Sequence, residues 1–153
     1  MAAWLLGEAP VEVFAYGAAL VDPAVAEQGD IDSCMVLLRT GSGRMAHINN
    51  SRRATYGYDQ RVEVHGSGGM VAVENQRPVS IELADGRGYT RPPLHDFFMT
   101  RYIEAYANEI AAFIEALAAK TRPSPGGEDG LAALKLADAA LRSVRTGAAV
   151  RLG

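Results

Sequence analysis

The apolar residues of this chain change their period once, and that change limits the folds open to it. Before Arg91-Pro92-Pro93 they recur every second residue; after it they recur every third and fourth. Arg61-Val62-Glu63-Val64-His65 alternates strictly, the mark of a strand with one buried and one wet face. Ser67-Gly68-Gly69 turns the chain, and Met70-Val71-Ala72-Val73-Glu74 is expected to pair back as a hairpin. Val79-Ser80-Ile81-Glu82-Leu83 alternates again before the turn Asp85-Gly86-Arg87-Gly88. Upstream, residues 11–16 are β-branched and aromatic, as strands favour. Residues 30–40 form a further strand, and Gly41-Ser42-Gly43 turns it into another over 44–53.

Beyond the prolines, Phe98, Tyr102, Tyr106, Ile110, Phe113 and Leu117 lie three and four apart, which predicts a long amphipathic helix. After Pro123 and Pro125, Glu128 and Asp129 open a second helix, where acidic groups suit the positive end of the dipole. Leu131, Leu134, Leu141 and Val144 mark its apolar side, and Gly147 closes it. Residues 150–152 add a last edge strand. Strands first and helices afterwards predict one α+β domain over 1–153: a largely antiparallel open sheet with helices packed on one face. Trp4, Leu5 and Leu6 before Gly7 read as the last turn of a helix. So short a helix would scarcely form alone, and its earlier part is expected upstream.

Composition narrows the function classes. A net charge of -3 over 153 residues argues against broad attraction to nucleic acid or an anionic membrane. The one cysteine, Cys34, excludes an internal disulfide and sits in an apolar run as a small buried hydrophobe. The opening residues lack the basic leader of a signal peptide, and no stretch is long enough to span a bilayer. The expected setting is the cytoplasm.

One motif imitates a dinucleotide site. Gly41-Ser42-Gly43-Arg44-Met45-Ala46 has the glycine spacing and follows a strand. The motif works only where a helix follows and offers free amides to the pyrophosphate. His47-Ile48-Asn49-Asn50-Ser51 is poor in helix formers, so the glycines read as a hairpin turn and not as a cofactor loop. His47, His65 and His95 lie on different elements without the close spacing of a zinc site. Asp30 and Asp32 share one side of a strand. They read as a polar strand entrance facing water, with an acid-base carboxylate pair as the alternative.

The run from Asn49 to Arg61 is densely polar, with Tyr56 and Tyr58 inside it. Polyols and sugars bind to such groups, tyrosine adding a flat apolar face and a hydroxyl. A solvated connection between strands would have the same composition, and both readings stand.

At this run the chain resembles the glucose-fructose oxidoreductase/inositol dehydrogenase (Gfo/Idh/MocA) family, on its myo-inositol 2-dehydrogenase side. The resemblance is carried by Gly57-Tyr58-Asp59-Gln60-Arg61-Val62-Glu63-Val64 and by Gly66-Ser67-Gly68-Gly69-Met70. It continues through Gly29-Asp30-Ile31-Asp32, through Phe97, Phe98, Arg101, Tyr102, Ala105, Tyr106 and Glu109, and through Asp129, Gly130, Ala133, Leu134, Leu136 and Ala137. The resemblance implies the family's carboxyl-terminal domain, a substrate-binding and oligomerisation domain. An amino-terminal Rossmann domain binding NAD, with the catalytic lysine, aspartate and histidine, is expected outside these residues. No catalytic and no cofactor-binding residue is therefore expected here, and the chain alone is expected to be inactive and to bind no NAD. Tyr58 matches a tyrosine of the family's substrate pocket, and Tyr56 and Tyr102 are neighbouring candidates. The implied substrate is inositol or a related sugar in inositol catabolism, and the implied assembly is a homotetramer joined through the exposed sheet face. The rival reading is a non-enzymatic self-association module derived from the same family.

Overall fold

In the computed structural model, which describes residues 1–153, the segments of period two become strands that pair only antiparallel. The first elements are α1 (Ala2–Leu6), β1 (Pro10–Ala18), α2 (Pro23–Glu27), β2 (Ser33–Thr40), β3 (Met45–Ser51), β4 (Val62–Gly66) and β5 (Gly69–Val73). Then come β6 (Leu83–Asp85), β7 (Gly88–Thr90), α3 (Phe98–Arg101), α4 (Ile103–Ala119), α5 (Gly127–Thr146) and β8 (Val150–Arg151). They gather in two units, Met1–Arg53 with Pro125–Gly153, and Ala54–Ser124.

The first unit is a four-stranded sheet in the order β3-β2-β1-β8 with α5 on one face. Alternation places Val13 and Ala15 of β1 beside Leu38 and Val36 of β2, and these four form the core with Ala139 of α5. The helix covers them with Leu136, Ala139, Ala140 and Val144, and the small residues on this face let its backbone come close. Gly17 is needed for the same closeness, since a Cβ there would lie 2.6 Å from Ile31 Cδ1 and 3.3 Å from Val144 Cγ2. Ala15 N–H meets no strand beyond the short β8 and donates instead to Ser143 Oγ of α5, at 2.9 Å. Cys34 is half-buried and packs at the margin of this core.

The short α1 exists because the fold holds it. Gly7 ends it in the left-handed conformation at φ 65°, Arg44 donates to the Leu6 carbonyl, and Ala2 packs on the core. Glu8 then accepts the Ser42 N–H at 3.1 Å, tying the exit of α1 to the β2–β3 turn.

Several expectations shift. Residues 30–32 precede β2 and are not part of it. Leu131 and Leu134 are exposed, so the covering side of α5 is set by Leu136, Ala139 and Ser143 and begins a turn later. Val13 is fully buried beneath α5. Met45 is exposed and Val62 half-buried. No helix is long and apolar enough to cross a membrane.

The second unit holds two separate hairpins, β4–β5 and β6–β7, so these four strands do not extend the four-stranded sheet. In the first, Val62 pairs with Val73 and Gly66 with Gly69. In the second, pairing runs from Leu83 with Thr90 to Asp85 with Gly88, so the alternating run 79–83 lies mostly before the strand. The expected helix from Phe98 divides at Tyr102, whose φ of -111° and ψ of 17° leave the helical region. The bonds from Tyr102 N–H to Phe98 O (2.9 Å) and from Tyr106 N–H to Tyr102 O (3.0 Å) persist across the break. The apolar stripe of α4, Ile103, Ile110, Phe113 and Leu117, is exposed.

Candidate functional site

Gly57 is where the polar run gains its shape. Its φ of 122° suits glycine, and a Cβ there would stand 2.7 Å from Leu94 Cβ and 3.0 Å from the His95 carbonyl. That close approach lets the next residue, Tyr58, donate its N–H to His95 O at 2.7 Å. The half-buried Tyr58 ring then meets Tyr102 edge-on, with centroids 5.7 Å apart and planes at 83°. Tyr106 continues the aromatic row 6.4 Å beyond Tyr102, and the Arg101 guanidinium lies 5.4 Å from the Tyr102 centroid. Such edge-to-face pairs suit the quadrupoles of the rings and fix their angles.

Below the rings lies a hydrogen-bonded hub at Asp59. Its carboxylate accepts from Arg61 Nε and Nη2 at 2.8 and 2.9 Å, from Asn75 Nδ2 at 2.7 Å, and from the Tyr56 hydroxyl. The Arg61 guanidinium first, then the Tyr56 hydroxyl and Asn75, hold this carboxyl at about 2, against the 3.8 of an ordinary aspartate. Donation to Asp59 in turn raises the pKa of Tyr56. Asn75 Oδ1 accepts the Gln60 N–H at 2.7 Å, and Gln60 Oε1 accepts the Tyr102 hydroxyl. Burial first, and the neighbouring Tyr58 hydroxyl next, raise the pKa of Tyr102, so Tyr56 and Tyr102 stay neutral at physiological pH.

Of the three tyrosines singled out by sequence, Tyr58 and Tyr102 are brought together and Tyr56 is turned to Asp59. Tyr56 also lines an open concavity of about 880 Å³ with Arg61, Asn75 and Arg77, whose lining includes neither of the other two. Gln60 and Asn75 escaped the sequence reading. Asn75 lies 15 residues from Gln60, and no spacing rule links positions on different segments.

The remaining candidates resolve physically. Gly41-Ser42-Gly43 is a hairpin turn, with Thr40 N–H on Arg44 O at 2.9 Å and Gly43 N–H on Thr40 O at 3.1 Å. β3 follows it, so no helix end faces the loop and these glycines do not fit a pyrophosphate. Asp30 and Asp32 are not a carboxylate pair at a wet strand entrance. Asp30 Oδ1 takes the Ile31 N–H at 2.8 Å, while Asp32 is buried and accepts the N–H groups of Leu20, Val21 and Asp22 at 2.8–2.9 Å. The alternation misled because it marks which face a residue takes and not whether a neighbouring loop folds over it. His65 pairs with Glu63 at 2.8 Å, and no three His, Cys, Asp or Glu side chains gather where they could hold a metal ion.

Among known proteins, residues 1–152 match the Gfo/Idh/MocA family described as "Oxidoreductase family, C-terminal alpha/beta domain". Over 144 residues the chain is 67% identical to Inositol 2-dehydrogenase of Rhizobium meliloti (strain 1021), covering 94% of this chain and 44% of that protein. A crystal structure from Sinorhizobium meliloti 1021 superposes with a TM-score of 0.96 at 63% identity, covering 99% of this chain and 46% of that one. Myo-inositol dehydrogenase from Lactobacillus casei, solved in complex with NAD(H) and myo-inositol, superposes with a TM-score of 0.82 at 25% identity, covering 99% and 44%. The chain thus spans less than half the length of each of these relatives.

Proposed function

Because this chain belongs to the Gfo/Idh/MocA oxidoreductase family, as its carboxyl-terminal α/β domain, we propose that it forms the substrate side of an NAD-dependent inositol 2-dehydrogenase. The observation that carries this reading is the 67% identity to an inositol 2-dehydrogenase over 94% of the chain. The whole enzyme oxidises a ring hydroxyl of inositol, or of a related sugar, to a ketone in the cytoplasm. NAD, when bound, supplies the hydride acceptor. The base that takes the hydroxyl proton lies outside these 153 residues, as does the dinucleotide site, and the chain alone is inactive.

The part played by this chain is to hold the polyol. Tyr58 offers a hydroxyl to one substrate hydroxyl and a ring face to the C–H groups of the ring. Tyr102 supports it, and the Asp59 hub keeps both rings from rotating away. Tyr56 borders the site from its place on Asp59.

The test is a chimera in which this chain replaces the matching segment of the Rhizobium meliloti relative. It is expected to reduce NAD when supplied with myo-inositol. A folded chimera that binds NAD and oxidises no inositol would sink the reading. In the same chimera Tyr58→Phe is expected to lower kcat/KM for inositol several-fold, by about 1 kcal/mol, while affinity for NAD is unchanged. The melting temperature should hold. Unchanged kinetics with a lower melting temperature would move Tyr58 from the pocket to the packing.

The second role in this reading is assembly into a homotetramer. Opposite α5, the sheet presents Tyr16, Met35, Leu37 and Met45, exposed by 69%, 56%, 53% and 77%. Tyr16 pairs with Met35 and Phe14 with Leu37, so these side chains form one apolar band of the kind that subunits cover. Sedimentation of the chain is expected to show self-association that Leu37→Asp abolishes. A stable monomer at high micromolar concentration would refute it.

A further inference from the structure

The glycine turn that imitates a cofactor loop is occupied by another part of the chain, the end of α1. Gly41-Ser42-Gly43-Arg44 reaches it by two arms. Arg44 Nη1 donates to the Leu6 carbonyl, one of the groups that a helix end leaves without a partner. Glu8, just past the helix, accepts the Ser42 N–H at 3.1 Å through Oε1 and the Ser42 hydroxyl through Oε2. The Ser42 hydroxyl, the largest influence, holds the Glu8 carboxyl below the ordinary carboxylate range, so it is an ionised acceptor at physiological pH.

A glycine makes room on each side of this clasp. A Cβ on Gly7 would stand 3.2 Å from Arg44 Nη1, and one on Gly41 would stand 3.3 Å from Glu8 Oε1. The turn is anchored at its base by Thr40, which is fully buried and whose Oγ1 accepts the Arg44 N–H at 3.0 Å. The sheet therefore fixes the direction of a helix of five residues, too short to hold one unaided. Residues 1–152 match the carboxyl-terminal domain of relatives more than twice as long, and α1 is the first element of that match. In the chimera, α1 is thus where this chain leaves the amino-terminal half.

We infer that Arg44 and Glu8 are positioning residues for hydride transfer, clasping α1 so that the polyol meets the cofactor-binding half in a fixed orientation. The inference rests on the reading that this chain is the substrate side of a dehydrogenase. In that reaction the carbinol carbon gives its hydride to NAD and its hydroxyl proton goes to the base, leaving a ketone and NADH. Such a step needs the reacting atoms within about 3–3.5 Å and aligned. Two halves joined through a frayed helix reach that geometry rarely, while each still binds its own ligand.

The experiment uses the active chimera with myo-inositol. Arg44→Met and Glu8→Ala each cut one arm of the clasp. Each is expected to lower kcat roughly tenfold, with KM for inositol and for NAD within about twofold of the parent. Glu8→Gln, which still accepts the Ser42 N–H, should keep kcat within about twofold. These bonds are exposed, so the melting temperature should fall by no more than about 3 °C. A second readout needs no activity. Trp4 is the one tryptophan of this chain and stands exposed on α1. Its fluorescence anisotropy in the chain alone should fall in Arg44→Met and Glu8→Ala and hold in Glu8→Gln. An unmoved anisotropy, a Glu8→Gln variant as slow as Glu8→Ala, or a lowered melting temperature with kcat intact each overturn the inference. An inactive parent chimera takes down the functional reading and this inference together. An active parent whose kcat ignores both Arg44→Met and Glu8→Ala takes down this inference alone.

Discussion

Asp32→Asn is expected to lower the melting temperature of the chain by roughly 10 °C, an effect far beyond that of a surface substitution. The carboxylate gathers the N–H groups of Leu20, Val21 and Asp22 and the Ser33 hydroxyl, all at 2.8–2.9 Å. It thereby joins the end of β1 to the start of α2, whose N-cap Asp22 accepts the Ala24 N–H at 3.0 Å. Asn has nearly the same shape but one acceptor oxygen, and its NH2 would face N–H donors. It should therefore rescue little over Ala.

Asp32 also gives the prediction a pH signature. Burial by itself raises its pKa; the three N–H groups and Ser33 outweigh it and bring the carboxyl from 3.8 to about 2. A carboxyl whose folded pKa lies below its unfolded one stabilises fully above the unfolded value and loses that contribution as pH falls through the folded value. The gap in stability between the parent and Asp32→Asn should thus be widest above pH 3.8 and narrow towards pH 2. Denaturation series across that window check it, and a constant gap would show that the carboxylate charge is not what is lost.

Ser143→Ala should cost about 2 kcal/mol, with a fall of roughly 4–8 °C in melting temperature. Ser143 is fully buried, accepts the Ala15 N–H at 2.9 Å and donates to the Ala148 carbonyl at 2.7 Å. Alanine fills the space but leaves the buried Ala15 N–H without its partner, and an unmade buried bond costs more than a made one contributes. Thr146 supplies the control on the same helix. Its hydroxyl donates to Arg142 O at 2.9 Å on an exposed turn, so Thr146→Ala should stay within about 0.5 kcal/mol. Equal losses at the two positions would mean that burial is not the cause.

Much of the molecule was legible where neighbours in sequence are neighbours in space. The turns at 41–43 and 67–69, the glycine ends of α1 and α5, and the polar run around Tyr58 were readable because each is governed by residues a few positions apart. In the structure, alternation along β1 and β2 sets Val13, Ala15, Val36 and Leu38 on the buried face and Tyr16, Met35 and Leu37 on the exposed one. What alternation could not say is which face α5 would take.

Only the tertiary structure decided the partners. The helix predicted through Tyr102 breaks there, where the Tyr102 hydroxyl bonds to Gln60 42 residues away and its ring packs on Tyr58. Asp32 became a buried staple because the loop after β1 folds back over it, and Ser143 found Ala15 across 128 residues. The physical reason is the same in each case. Periodicity records that a face is to be buried, since burial of apolar area is non-directional and needs no particular partner. A hydrogen bond needs its two atoms within about 3 Å and aligned, and that condition is met by the approach of distant segments, which local spacing does not encode.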